Sequence, residues 1–208
     1  MRTRWLLALL FLPLVASAQA ANDPEVQIIR LTQPPYSDGD LEFWAKNQSV
    51  FSDVLHLARL GDVNAQYNLA MMAHIRGDMQ TATYWYARAA SRNHELAAYN
   101  LASLYYAGDG VAVDYDQAAK WMERAARLGF APAQFQLAKM YYQGRGVPKD
   151  HAKEAYWLKK AAESGHAAAQ HNLAVLYHKG EGVEKNDDLA RKWLQKSKES
   201  GLEDDGRF

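Results

Sequence analysis

Residues 108–114 read GDGVAVD, residues 144–150 read GRGVPKD and residues 180–186 read GEGVEKN. A glycine pair of this kind either cradles a phosphate or turns a corner, and the two readings lead to different proteins. A phosphate loop needs a strand before it, a helix N-terminus facing the anion and, as a rule, a lysine followed by serine or threonine. Here a helical pattern precedes the phrase, no such lysine follows it, and it recurs every 36 residues in register with apolar positions. The phrase is therefore read as a repeated corner. Its glycines supply backbone angles that a side chain opposes. Val111, Val147 and Val183 turn inward, and Asp114, Asp150 or Asn186 caps the helix that follows.

Sliding the chain against itself extends the register in both directions. Leu101, Leu137 and Leu173 align, as do Ala102, Ala138 and Ala174, then Tyr105, Tyr141 and Tyr177, then Trp121, Trp157 and Trp193, then Gly129, Gly165 and Gly201. A fourth, shorter copy lies upstream, where Leu69, Ala70, Trp85, Ala89 and Ala90 match. Leu69 to Trp85 spans 16 residues where Leu101 to Trp121 spans 20, so four residues are missing from that corner, which reads HIRGDMQ. Gly61 and Ala65 repeat the spacing of Gly129 and Ala133, which makes residues 49–62 the last helix of a degenerate capping unit.

Within a unit the apolar period is helical. Ala97, Leu101, Leu104 and Tyr105 share one face, and Ala118, Trp121, Met122, Ala125 and Ala126 share another. Each unit is thus two amphipathic helices, closed by Gly129, Gly165 or Gly201 where a left-handed C-cap is wanted. Alanine columns let the helices approach closely, and the tryptophan fills the space beside them. One such pair cannot bury its apolar face alone, so stacked neighbours must do it.

The bulk composition suits this reading. Of 208 residues, 49% are hydrophobic and 12% aromatic, enough for a sizeable core. The first twenty residues differ: Arg2 and Arg4 lead an apolar run from Trp5 to Val15, interrupted by Pro13 and followed by ASAQA. That is the anatomy of a secretory leader, with cleavage after Ala20, or alternatively after Ala18. The run is about half of what a permanent membrane helix needs. There is no cysteine, so stability must come from packing rather than disulfides. Without the leader, 24 basic residues less Arg2 and Arg4 leave 22 against 24 acidic ones. So balanced a charge argues against nucleic acid or an anionic membrane as partner. Residues 21–48 form an extended arm with an apolar run from Val26 to Leu31, then Pro34 and Pro35. It is read as an arm that orders on contact, along the groove or a partner's edge strand, in preference to a flexible one. Residues 203–208 are a polar tail.

The units AAYNLASLYYAGDGVAVDYDQAAKWMERAARLG, APAQFQLAKMYYQGRGVPKDHAKEAYWLKKAAESG and AAAQHNLAVLYHKGEGVEKNDDLARKWLQKSKESG resemble the Sel1-like repeat, an offshoot of the tetratricopeptide-type helical solenoids. The resemblance covers roughly residues 63–202, in units 63–94, 95–130, 131–166 and 167–202. Two units depart from the pattern. Glu154 and Ala155 shift the usual alanine by one place, and Ser197 with Lys198 replaces the alanine pair of the last unit, as suits a helix facing solvent. The resemblance implies an all-α, right-handed α/α superhelix and a role in holding other proteins, often in bacterial envelopes. Some cysteine-rich secreted members are implied to bind or act on penicillin-like compounds and cell-wall fragments, but each of their units is pinned by a disulfide that this chain lacks.

Candidate chemistry is sparse. His166, His171 and His178 are spaced by five and seven, not by the four that a helical zinc site favours, and are read as solvated surface residues. No metal, cofactor or catalytic residue is assigned, since no nucleophile has a plausible base nearby. Asp187 and Asp188 stand at a helix start, where they favour its dipole. The binding surface is more informative. Opposite the leucine on the first helix of each unit stand Tyr99, Ser103 and Tyr106, then Phe135, Lys139 and Tyr142, then His171, Val175 and His178. Beside them runs an amide column of Asn68, Asn100, Gln136 and Asn172. The resemblance places these positions along a concave groove. Amides carry donor and acceptor and can pair with a bound backbone or terminal carboxylate, unless they merely bond to neighbouring helices. Aromatic rings offer contact area at little entropic cost, and Lys139 is the cation placed to meet a carboxylate.

The expected protein is a periplasmic or secreted non-enzymatic adaptor that binds a protein or peptide. The alternatives are a cell-wall or β-lactam-type binder or hydrolase, and a structural accessory subunit of an envelope machine such as a flagellar motor.

Overall fold

The computed structural model describes residues 48–202 apart from Arg76, with side chains described from Val54 onward. The leader, the arm up to Asn47 and the tail lie outside the described residues. Within them the chain forms nine helices of 13 residues and no strand: α1 (Gln48–Leu60), α2 (Val63–Ile75), α3 (Met79–Ser91), α4 (Glu95–Ala107), α5 (Tyr115–Arg127), α6 (Ala131–Gln143), α7 (His151–Glu163), α8 (Ala167–Lys179) and α9 (Asp187–Glu199). Two compact units divide them, one reaching to Ala97 and including Asp109–Val111, the other holding the remainder.

In the first unit α1 packs on α2 and α2 on α3. Its core is alanine-rich, with Ala58, Ala65, Ala70, Ala82, Ala89 and Ala90 all but inaccessible around Tyr67, Leu69 and Tyr86. Asp62 and Asp78 cap α2 and α3, accepting the Ala65 and Thr81 amides at 2.7 and 3.1 Å.

In the second unit α6 packs on α7 and α8 on α9, while α5 meets α6 and α7 meets α8 across the repeat boundaries. Leu101, Ala102, Leu137, Ala138, Leu173 and Ala174 are buried to within 1%. Each such leucine contributes roughly 1.5–3 kcal/mol by leaving water. Asp114, Asp150 and Asn186 cap the second helices, accepting the amides of Gln117, Lys153 and Leu189 at 2.9, 3.0 and 2.9 Å. The first glycine of the phrase ends the preceding helix in the left-handed region, with φ of 68° at Gly144 and 75° at Gly180. The second glycine does something the corner reading did not include. A Cβ on Gly146 would collide with the Tyr115 carbonyl, and one on Gly182 with the His151 carbonyl, so bare backbone closes on the start of the previous repeat's second helix.

Two details differ from the sequence expectation. Ser197 does not face solvent: it is 1% exposed, and its hydroxyl donates to the Ala167 carbonyl at 3.0 Å. A polar residue sits in an alanine column because a helix carbonyl is in reach of it. The tryptophan column is not uniformly core either, since Trp157 is buried whereas Trp85, Trp121 and Trp193 are half-buried.

Candidate functional site

The aromatic column on the first helices is engaged by the residue that closes each repeat and leads into the next first helix. In the second unit the Tyr99 ring meets Phe130 edge-on at 5.2 Å, and Phe135 stacks on His166 at 4.5 Å and 24°. The same relation holds in the first unit, where Tyr67 stacks on His94 at 4.4 Å. Tyr99 and Phe135 are accordingly half-buried. His94 and His166 have a second duty, for their Nδ1 atoms accept the amides of Ala97 and Ala169 at 3.2 and 3.3 Å as helix caps. Burial pushes both imidazoles below their usual pKa. His166 is thus a structural joint rather than a solvated surface residue.

One helical turn and more further on, the column turns back on its own repeat. Tyr106 meets Tyr115 edge-on at 5.2 Å, Tyr142 lies 6.1 Å from His151, and His178 Nδ1 is 2.8 Å from the Asp187 carboxylate. Arg145, from the glycine phrase of the next repeat, donates to the Tyr106 hydroxyl at 2.7 Å, and that hydroxyl donates to Gln143 at 3.2 Å. Tyr142 stays exposed, with the Lys149 ammonium 5.5 Å from its ring centre.

Two clefts open between the repeats of the second unit. One, of about 290 Å³, is lined by Tyr99, Ser103, Tyr106, Gln136 and Lys139 with Met122 and Met140. The other, of about 440 Å³, is lined by Lys139, Tyr142, His171, Asn172 and Val175 and, from the second helix of the repeat, Glu154 and Leu158. Lys139 borders both. The structure therefore brings Tyr99, Tyr106, Gln136, Lys139, Tyr142, His171 and Asn172 together on cleft walls. Asn100, Phe135 and His178 are not among the residues lining either one.

His171, expected as a solvated residue, is buried, with 8% exposure in the wall of the larger cleft. Asn68 lies in the first unit and is buried as well. A neighbouring column of amides that the sequence reading passed over ties helices together. Gln66, Gln134 and Gln170 are buried, and their Nε2 groups donate to the carbonyls of Ala58, Ala126 and Ala162 at 3.0, 3.1 and 3.1 Å. Each fastens a repeat to the last turn of the helix before it. Recurrence in register two places before Asn68, Gln136 and Asn172 was the available signal.

The larger cleft has an unusual wall. Glu154 is 8% exposed, and one of its carboxylate oxygens lies 2.8 Å from His151 Nδ1. Burial raises its pKa, opposed by the His151 contact, raised further by Glu181 and lowered by Lys149. Among the described residues no three metal-ligating side chains gather, and no helix is long and apolar enough to cross a membrane.

The Sel1 repeat profile matches residues 63–94, 96–130, 131–166 and 167–202, two thirds of the chain. The chain belongs to the Sel1-repeat family. No match is found among curated proteins. Among solved structures, the chain is similar to a protective antigen of uropathogenic Escherichia coli with an SLR fold, at 34% identity and a TM-score of 0.67, over 73% of this chain and 33% of that one. It therefore spans about a third of that antigen's length. It is also similar to a Sel1 repeat protein from Oxalobacter formigenes, at 36% identity and a TM-score of 0.54, over 57% of this chain and 89% of the other.

The fold is accordingly an all-α superhelix of repeated helix pairs, of a kind that commonly mediates protein interaction. Aligning the four Sel1 repeats shows how far Glu154 departs from its sisters. The same position holds Ala82, Ala118 and Ala190, at 0%, 0% and 2% exposure.

Proposed function

We propose that this Sel1-repeat chain is an exported, non-enzymatic adaptor that holds an extended segment of a partner protein against the first helices of its second unit. One observation carries the reading: two clefts border the same residue, Lys139, and present aromatic, amide and cationic groups in a row along α4, α6 and α8. Such a surface suits a peptide, because amides pair with its backbone and rings supply contact area without much side-chain entropy to lose. Lys139 is exposed and offers a charge to a carboxylate on the bound segment.

Export follows from the leader-like residues 1–20, and the mature chain is proposed to start at Ala21 in the periplasm or outside the cell. Terminal sequencing of the fractionated protein tests that step. For the binding surface, a photo-crosslinker at Tyr142 should capture a partner that is lost with Asn172→Ala, while the same group at Tyr156, exposed but away from the cleft lining, should capture none. Equal capture from both positions would overturn the reading.

A further inference from the structure

Glu154 is the one place where this array puts a carboxyl into its alanine column. Ala82, Ala118 and Ala190 show what the helix packing itself asks for at that position, a small apolar group with no exposed surface. A helix-dipole role does not require burial, because Asp116, Asp187 and Asp188 supply first-turn charge to α5 and α9 while exposed. Packing does not favour the carboxyl either: desolvation raises its pKa even against the opposing contact with His151 Nδ1 at 2.8 Å, so the ionised form is less favoured in the fold than in water. A carboxyl held where three sister repeats carry a buried alanine is a local departure of the kind expected at functional positions.

Its surroundings state the chemistry. Glu154 lies in the wall of the larger cleft, which has room for a long side chain, and Glu181 adds a second carboxylate to the lining. The exposed Tyr142 ring forms another wall, and its π face already draws the Lys149 ammonium. Lys139 and Lys179 also line the cleft, and both are exposed, as is Glu181. Exposed charges are screened by water and salt, whereas the buried carboxylate is screened far less.

We infer that the cleft walled by Glu154 and Tyr142 is a subsite for a cationic side chain, arginine above all, of the bound peptide. The planar guanidinium can donate to the carboxylate, whose second oxygen is held by His151, while its face lies on the tyrosine ring. This rests on the peptide-binding reading and adds to it a residue class and a register: the partner's basic residue enters between the third and fourth repeats.

The test is a randomised pool of short, end-blocked peptides presented to the full chain, followed by affinity measurements on the best binder. Peptides bearing arginine should be enriched, and replacing that arginine with the isosteric, neutral citrulline should weaken binding about tenfold. Glu154→Ala should erase the difference between the two peptides. Because it restores the residue of the sister repeats, it should also melt no lower than the parent. Asn172→Ala should weaken both peptides alike. Enrichment without basic residues, or a citrulline penalty that survives Glu154→Ala, would overturn the subsite and leave the groove standing. A pool from which nothing is enriched would overturn both.

Discussion

His166 lies face to face with Phe135, ring centres 4.5 Å apart, while its Nδ1 accepts the Ala169 amide. One imidazole thereby joins two repeats and caps a helix, and only the form with Nδ1 unprotonated can do both. Its folded-state pKa is depressed by burial below the ordinary 6.5, as is that of His94. The unfolded chain therefore binds the proton first as pH falls. The stabilisation is complete above pH 6.5 and is lost progressively toward the lower folded-state pKa. Melting temperature should drop between pH 7.5 and 5.5. His166→Asn, which keeps a capping acceptor but does not titrate, should flatten that dependence, and His166→Ala should cost about 1 kcal/mol or more at pH 7.5 through the lost cap. Parallel slopes for parent and His166→Asn would refute the assignment.

The two kinds of glycine in each repeat should respond differently to alanine. Gly129 has φ of 97° and open space around the site of a Cβ, so Gly129→Ala pays for backbone strain alone, about 1–2 kcal/mol. Gly146 adds to a φ of 68° a collision with the Tyr115 carbonyl. Gly146→Ala should therefore be clearly the more damaging in urea titrations, and equal losses would show that the repeats shift to absorb the methyl group.

Tryptophan truncation should rank by burial. Trp157, 8% exposed, should lose about 3–5 kcal/mol on change to alanine, whereas the half-buried Trp121 should lose less. Paired denaturant curves of the two variants give the order directly.

The repeat period was fully legible in the sequence because its columns are set by close helix packing. Leu101, Leu137 and Leu173 are fully buried, and Asp114, Asp150 and Asn186 cap helices in the same way each time. The candidate surface was legible only in part. Tyr99 and Phe135 face away from the leucine column, but their rings are met by Phe130 and His166, whose positions depend on how one repeat seats on the next. A helical wheel contains no such information. Polarity misled at Ser197 and His171, each buried against groups from another helix or a cleft wall. Glu154 was visible as a break in an alanine column, and its meaning waited on the cleft beside it.

The seam at Gly146 and Gly182 bears on how such arrays change in length. Both glycines rest on a main-chain carbonyl, belonging to a tyrosine at position 115 and a histidine at position 151. At these two joints the first atoms met are main-chain ones. A 36-residue module copied or deleted whole brings both halves of its own seam with it, so each new junction is born compatible. Side chains on the cleft walls can then diverge module by module, and a longer chain gains recognition positions without having to reinvent the way its parts are coupled.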